Sequence, residues 1–171
     1  MLKGRKDNVP LAPAVTDLEQ LKDRPLLAAL LGWNKDAIQG ARLDRNELSV
    51  YVARESIRPA IEFLTSQKLI NFLSDLTCAD YYPRGPRFEL AYHLLSMQRK
   101  ERVRLKVKLD GDDPSVESIT SVWPSANFFE RELFDLFGIR FLGHPYLRRI
   151  MMPEDWEGHP LRRDYPVEGY R

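Results

Sequence analysis

Lysine is absent from the C-terminal stretch of this chain. From Glu130 to Arg171 there are seven arginines and eight Asp or Glu, but no lysine. A merely solvated tail would mix the two cations. Arginine alone points to planar, bidentate pairing with carboxylates, or to stacking on rings, at places partly withdrawn from water. Cysteine is almost missing as well. Cys78 is the single one, so an internal disulfide is excluded and a reducing compartment is permitted. Neither an iron–sulfur cluster nor a cysteine-rich zinc site can be built from this chain alone. A charge excess is lacking too: 26 Lys and Arg against 25 Asp and Glu leave a net charge of +1, which argues against a general nucleic-acid binder. No apolar run approaches the ~20 residues needed to span a bilayer. Pro10 and Pro13 interrupt the N-terminus where a secretory signal would be continuous. Membrane contact is therefore expected only through a partner.

Motifs for chemistry are equally scarce. No glycine-rich loop follows a strand and opens a helix, so neither phosphate-cradling nor dinucleotide-binding geometry is offered. No nucleophile motif surrounds any serine. The histidines are His93, His144 and His159. The last two have Glu154, Asp155 and Glu157 nearby, but metal ligands usually pair ~3–5 residues apart, and this spacing argues against a metal site. Glu130 and Glu132, on a short helix among phenylalanines, are candidates for raised pKa values, which partner-facing ion pairs produce as readily as active sites do.

What the chain does have is concentrated between Phe128 and Tyr165. Ser125, after Pro124, is the expected N-cap of a helix. Phe129, Leu133, Leu136 and Phe137 fall on one side of it. Glu130, Arg131 and Asp135 lie off that side, with Arg131 and Asp135 spaced as an i,i+4 pair. Gly138 is placed to end the helix in a left-handed cap. Beyond it no period survives, and Pro145, Pro153, Pro160 and Pro166 block helices and remove ladder donors. Gly143-His144-Pro145 recurs as Gly158-His159-Pro160, each followed by Leu-Arg-Arg. Two similar turns are the plainer reading, a duplicated binding unit the sharper one. Trp156, Tyr146, Tyr165 and Phe141 are anchors of the kind interfaces use. We read the stretch as a surface completed by another protein. The alternative is an extension folded back on its own domain, since long structureless segments need a special reason.

The rest reads as one α+β domain with a real core. Residues 1–16 are expected to be a mobile leader, 17–138 a two-layer domain of mostly antiparallel or mixed sheet packed on helices, and 139–171 an extended partner-wrapping segment. Asp17 caps a helix that restarts at Pro25 and stops near Gly32. Ala37–Leu43 and Glu47–Ala53 form a hairpin around Asp44-Arg45-Asn46. A helix follows Ser56, with Ile57, Ile61 and Leu64 inward and Pro59 in its first turn. Strands are expected over Asn71–Tyr82, Arg87–Met97 and Glu101–Leu109. In the last, Val103, Leu105, Val107 and Leu109 alternate with Arg102, Arg104, Lys106 and Lys108, giving either a solvated cationic face or a docking face for an acidic surface. Asp113-Pro114 is read as the cap and first position of a short helix.

Together these residues closely resemble a known signature. Glu130-Arg131-Glu132, Phe134-Asp135-Leu136-Phe137-Gly138-Ile139, Phe141, Gly143-His144-Pro145 and Leu147-Arg148-Arg149-Ile150 are similar to the C subunit of respiratory complex I, also called the 30 kDa subunit of NADH:quinone oxidoreductase. The pattern continues through Met152-Pro153-Glu154-Asp155-Trp156, Gly158, Pro160 and Leu161-Arg162-Arg163-Asp164-Tyr165-Pro166. Upstream, Arg87-Phe88-Glu89 and Tyr92-His93-Leu94-Leu95-Ser96 resemble its central strand. The likeness covers about Asn71 to Tyr170. Met151 and Arg163 depart from the commoner leucine and lysine.

The resemblance implies a non-catalytic subunit of the peripheral arm of a proton-translocating enzyme, on the cytoplasmic face of the bacterial inner membrane. It implies no cofactor, metal or catalytic residue on this chain, with FMN and iron–sulfur clusters on partner subunits. The role implied is to brace the subunits carrying the terminal clusters and the quinone site. The C-terminal segment is expected to lie against the D subunit of the complex, here a separate polypeptide. The B, I and G subunits are expected as further neighbours, and nucleic acid is not. The expected interface residues are Glu130, Arg131, Glu132, Asp135, His144, Arg148, Arg149, Trp156, Arg162, Arg163, Asp164 and Tyr165. An equivalent subunit of a membrane-bound hydrogenase or ferredoxin-linked complex is the alternative. A free-standing enzyme or RNA-binding domain lacks a site motif and a basic excess.

Overall fold

The structure is a computed structural model that describes residues 13–169. Most of the expected leader thus lies outside the described residues, but Val15 does not hang free. Its N–H and carbonyl bond the carbonyl and N–H of Leu43 at 2.9 and 2.8 Å.

Two short helices, α1 (Leu18–Leu21) and α2 (Pro25–Trp33), come first. Asp17 caps α1 by accepting from the Glu19 N–H at 2.9 Å. Gly32 lies within α2 rather than ending it; Asn34 is the cap. A tight hairpin, β1 (Ile38–Asp44) and β2 (Glu47–Val52), follows. Arg45 and Asn46 at its tip take φ of 51° and 63°, the left-handed pair a two-residue turn between right-twisted strands requires. Helix α3 (Ile57–Ser66) buries Ile57, Ala60, Ile61 and Leu64 completely. Strands β3 (Phe72–Asp80), β4 (Phe88–Ser96) and β5 (Glu101–Leu109) complete a five-stranded sheet in the order β1-β2-β5-β4-β3. The β2–β5 pair is parallel and the others are antiparallel. The fold is α+β with a mixed sheet, as expected.

Alternation decides which sheet face is wet. Leu90, Tyr92 and Leu94 on β4 and Val103, Leu105, Val107 and Leu109 on β5 are all at most 2% exposed. Each large side chain of this kind contributes about 1.5–3 kcal/mol by leaving water. The cationic face of β5 is open, but its charges are largely answered within the sheet. Lys106 bonds Glu89 at 2.6 Å, Arg104 pairs with Glu47, and Lys106 and Lys108 stand over the Tyr51 ring.

Two local expectations fail. Asp113-Pro114 opens no helix. Ser115–Glu117 is a strand, β6, pairing in parallel with a second three-residue strand, β7 (Arg140–Leu142). Its mate lies well downstream, beyond what local propensity can see. Nor does Ser125 cap α4 (Ala126–Phe137) through its side chain. Its backbone is already helical, and the first amides bond the carbonyls of Trp123 and Pro124 instead.

Candidate partner interface

Two of the acidic side chains of α4 are fully buried: Glu130, which by helical spacing shares the inward face with Ala126, Leu133 and Phe137, and Asp135, which lies on the opposite side. Glu130 and Asp135, expected on a partner-facing surface, are enclosed by the chain itself. The i,i+4 pairing of Arg131 with Asp135 does not form either. Each group has a partner from elsewhere in the chain.

Asp135 is the hub of the C-terminal segment. One carboxylate oxygen accepts from the N–H groups of Ile150, Met151 and Met152 at 2.9, 2.7 and 2.9 Å. The other accepts from Arg149 Nη1 at 2.6 Å. Arg149 also donates to the Asp135, Trp156 and Gly158 carbonyls. Burial alone would raise the Asp135 pKa, but the Met152, Arg149, Ile150 and Met151 donors together hold it below the ordinary aspartate value. A buried ion pair of this kind persists because its remaining lone pairs and protons are also satisfied. Arg131 bonds the Arg148 and Arg149 carbonyls at 3.1 and 2.9 Å. His159 Nδ1 lies 2.9 Å from the Asp135 carbonyl; burial foremost lowers its pKa, so the ring is neutral at pH 7.

Gly138 makes the return of the chain possible. It caps α4 with φ +73°, and a Cβ there would stand 2.5 Å from Arg162 Nη2 and 2.6 Å from His159 Nε2. Glycine is needed both for the left-handed turn and for the close approach. Arg162 then bonds the Phe137 carbonyl at 2.6 Å.

A second knot ties the segment's far end to the sheet. Arg87, at the start of β4, forks onto Asp80 at 3.0 and 2.9 Å and onto Asp164 at 2.9 and 2.6 Å. The Asp80 side chain is 1% exposed and that of Arg87 14%. The Arg163 N–H donates to Asp80 at 2.9 Å, and the Arg87 guanidinium lies over the Tyr82 and Phe88 rings. Sequence reasoning misses Asp80 and finds Arg87 only as part of a strand. Asp164 lies 77 positions away from Arg87, so no local pattern reveals the knot.

The other expected residues point outward or stay near the surface. Glu132, Arg148, Trp156, Arg163 and Asp164 are exposed, and Tyr165 is half-buried. The Arg148 guanidinium stacks over Tyr146 at 4.6 Å. Half-buried His144 accepts from the Tyr146 N–H through Nδ1, and burial lowers its pKa despite the Asn127 backbone beside it. Gly143 and Gly158 both take left-handed φ, 78° and 77°, but His144 and His159 have different partners, which fits two similar turns rather than a duplicated unit. Around this hydrogen-bonded frame stand exposed apolar side chains: Phe128, Leu142, Tyr146, Ile150, Met151, Trp156 and Leu161. The frame is therefore closed on the chain itself, whereas these apolar side chains remain exposed. Among the described residues no group of three His, Cys, Asp or Glu could hold a metal ion, and no helix is long and apolar enough to cross a membrane.

The family model described as "Respiratory-chain NADH dehydrogenase, 30 Kd subunit" matches residues 50–171. The chain belongs to this family and is thus a subunit of a multi-subunit respiratory enzyme. The C subunit of NADH-quinone oxidoreductase from Roseiflexus sp. (strain RS-1) is 53% identical over 149 residues, covering 86% of each chain. Its counterpart in Citrifermentans bemidjiense is 45% identical, over 79% of this chain and 86% of its own. Among solved structures, a trypsin-resistant fragment of Nqo5 superposes with a TM-score of 0.63 at 32% identity, over 71% of this chain and 99% of that fragment. A chain of the archaeal membrane-bound sulfane sulfur reductase shares the fold, with a TM-score of 0.72 at 21% identity over 85% of this chain and 86% of that one.

Proposed function

We propose that this chain is a structural, cofactor-free subunit of the peripheral arm of a proton-translocating NADH:quinone oxidoreductase. Its C-terminal segment seats the D subunit and positions the neighbours that carry the terminal iron–sulfur clusters and the quinone site. FMN and the clusters belong to those neighbours, and the membrane is reached through the complex, at the cytoplasmic face of the bacterial inner membrane. One observation carries this reading: a segment without regular structure is pinned to α4 by Asp135 while Tyr146, Ile150, Met151, Trp156 and Leu161 remain exposed. Monomeric proteins rarely leave such a cluster uncovered, and a pre-ordered segment reduces the entropy cost of association.

Arginine placement refines the reading. Arg149 and Arg162 are consumed in holding the segment's own shape, whereas Arg148 and Arg163 are available at the surface. The first pair builds the docking surface and the second pair meets the partner.

Truncation tests it. A chain ending near Phe141 is expected to keep the sheet domain but to fail to co-purify with the D subunit from native membranes. Normal recovery of the truncated chain with that partner would overturn the proposal.

A further inference from the structure

Glu130 is the one buried carboxyl of α4 that the docking surface does not use. Its side chain is 0% exposed. Oε2 accepts from Ser118 Oγ at 2.6 Å, and Oε1 accepts from the Ile119 N–H at 2.7 Å. No cation is among the groups that shift it. Buried carboxylates are normally paired with a positive charge, and the contrast with Asp135, further along the same helix, is direct. On the sheet, the charge of Glu130 bears on Tyr92 of β4, whose buried hydroxyl has no hydrogen-bond partner, and Tyr92 is affected in turn by Cys78 of β3. Burial pushes Tyr92 up and Cys78 up to about 12, so neither bears charge at neutral pH.

The hydroxyls next to Glu130 form a short relay. Ser118 Oγ lies 2.8 Å from Thr120 Oγ1, and either atom can be the donor; the Thr120 N–H also donates to Ser118 Oγ, at 3.2 Å. Thr120 is partly exposed. With Glu130 ionised, Thr120 donates to Ser118 and Ser118 to the carboxylate. With Glu130 protonated, the carboxyl donates to Ser118 and Ser118 to Thr120. Both states keep the chain of hydrogen bonds intact with its direction reversed, and the exchanged proton comes from or leaves to solvent at Thr120.

We propose that Glu130 is a proton-exchange site inside the fold, connected to the surface through the Ser118 and Thr120 hydroxyls, whose protonation sets how firmly α4 is tied to the segment preceding it. Burial, opposed by the Ser118 and Ile119 donors, raises its pKa from 4.5 to about 7. A folded value above the unfolded one means that the stability it confers is complete below the unfolded pKa and is lost as pH rises through about 7.

The test is a carbon-13 NMR titration of the glutamate side chains in the full chain, from about pH 5 to pH 9. One carboxyl is expected to titrate near neutrality, to be assigned to Glu130 by through-bond correlation, and to vanish in Glu130→Gln. Ser118→Ala is expected to move that midpoint upward, because a donor to the ionised form is lost. The thermal midpoint of the parent chain should fall relative to Glu130→Gln as pH rises over the same range. Should Glu130→Gln not fold, the parent titration and Ser118→Ala still decide. A Glu130 signal that titrates in the ordinary carboxylate range, or stays constant from about pH 5 to pH 9, would overturn the proposal. So would a midpoint unmoved by Ser118→Ala.

Discussion

The sheet domain and the C-terminal segment hold their shape by opposite means. In the domain, apolar rows of period two on β4 and β5 and the apolar stripe of α3 belong to one buried core, and the backbone bonds of the sheet are ladder bonds. In residues 143–169 there is no ladder and no helix. The backbone there is held by carboxylates and guanidiniums acting as hubs: Asp135 with Arg149, and Asp80 with Arg87 and Asp164. Burial of apolar area is diffuse and tolerates substitution, whereas a hub concentrates many bonds on one side chain. The segment should therefore be far more sensitive to single changes than the domain, and more sensitive to acid.

The comparison breaks most easily at Asp135. Asp135→Ala strands three N–H groups and a guanidinium that is 15% exposed. Removing one partner of such a pair typically costs about 3–5 kcal/mol. The expected outcome is rapid protease cleavage between residues 143 and 165 while the sheet domain stays resistant. If the segment stays as protected as in the parent, the carboxylate is not its anchor. Acid should mimic the substitution. The Asp135 pKa is held low in the fold, so its contribution is complete above the ordinary aspartate value and is lost as pH falls through the lower folded value. Glu130 has the opposite sign, so the two carboxyls of one helix should weaken the fold at opposite ends of the pH scale.

Arg149→Lys sharpens the comparison at a smaller scale. A single ammonium can keep the bond to Asp135 but not also reach the carbonyls of Trp156 and Gly158. A loss of about 1–3 kcal/mol is expected from leaving those acceptors unpaired, read as faster amide hydrogen exchange from 150 to 158 and weaker assembly with the D subunit. Unchanged exchange would show that the fork is dispensable. Arg148→Lys should do least to the isolated chain, within about 0.5 kcal/mol, because its side chain is 52% exposed. Its effect should instead appear in assembly, through loss of the stack on Tyr146. Arg148→Lys lowering the stability of the isolated chain as much as Arg149→Lys would erase the division between shape-holding and partner-meeting arginines.

Legibility from residues follows the same division. The hairpin at Arg45-Asn46, the inward face of α3 and the alternation of β5 can be read directly, because each rests on neighbours within a few positions. The arginine-only, proline-broken character of the C-terminal stretch is equally plain, and so is the family signature it carries. How Glu130 and Asp135 are answered is not. Asp135 belongs by helical spacing to the polar side of α4 and becomes interior only because residues 149–152 cover it, whereas Glu130 shares the spacing of Ala126, Leu133 and Phe137 and finds its hydrogen-bond donors at residues 118–119, outside the helix. Asp80 and Arg87 are hidden for a related reason: their partner arrives from the far end of the chain. The strand at Ser115–Glu117 looks locally like a helix start because its mate is likewise distant.

By itself, the order of residues determines an α+β domain, its inward rows, its family, and an unusual arginine-rich end. Those are consequences of period, composition and motif, which are local. Whether that end hangs free or folds back, which arginines are spent on its own carbonyls, and which carboxyl of α4 lacks a counter-charge were settled only in three dimensions. Each depends on long-range contacts that put a hydrogen-bond donor, or its absence, beside a buried oxygen.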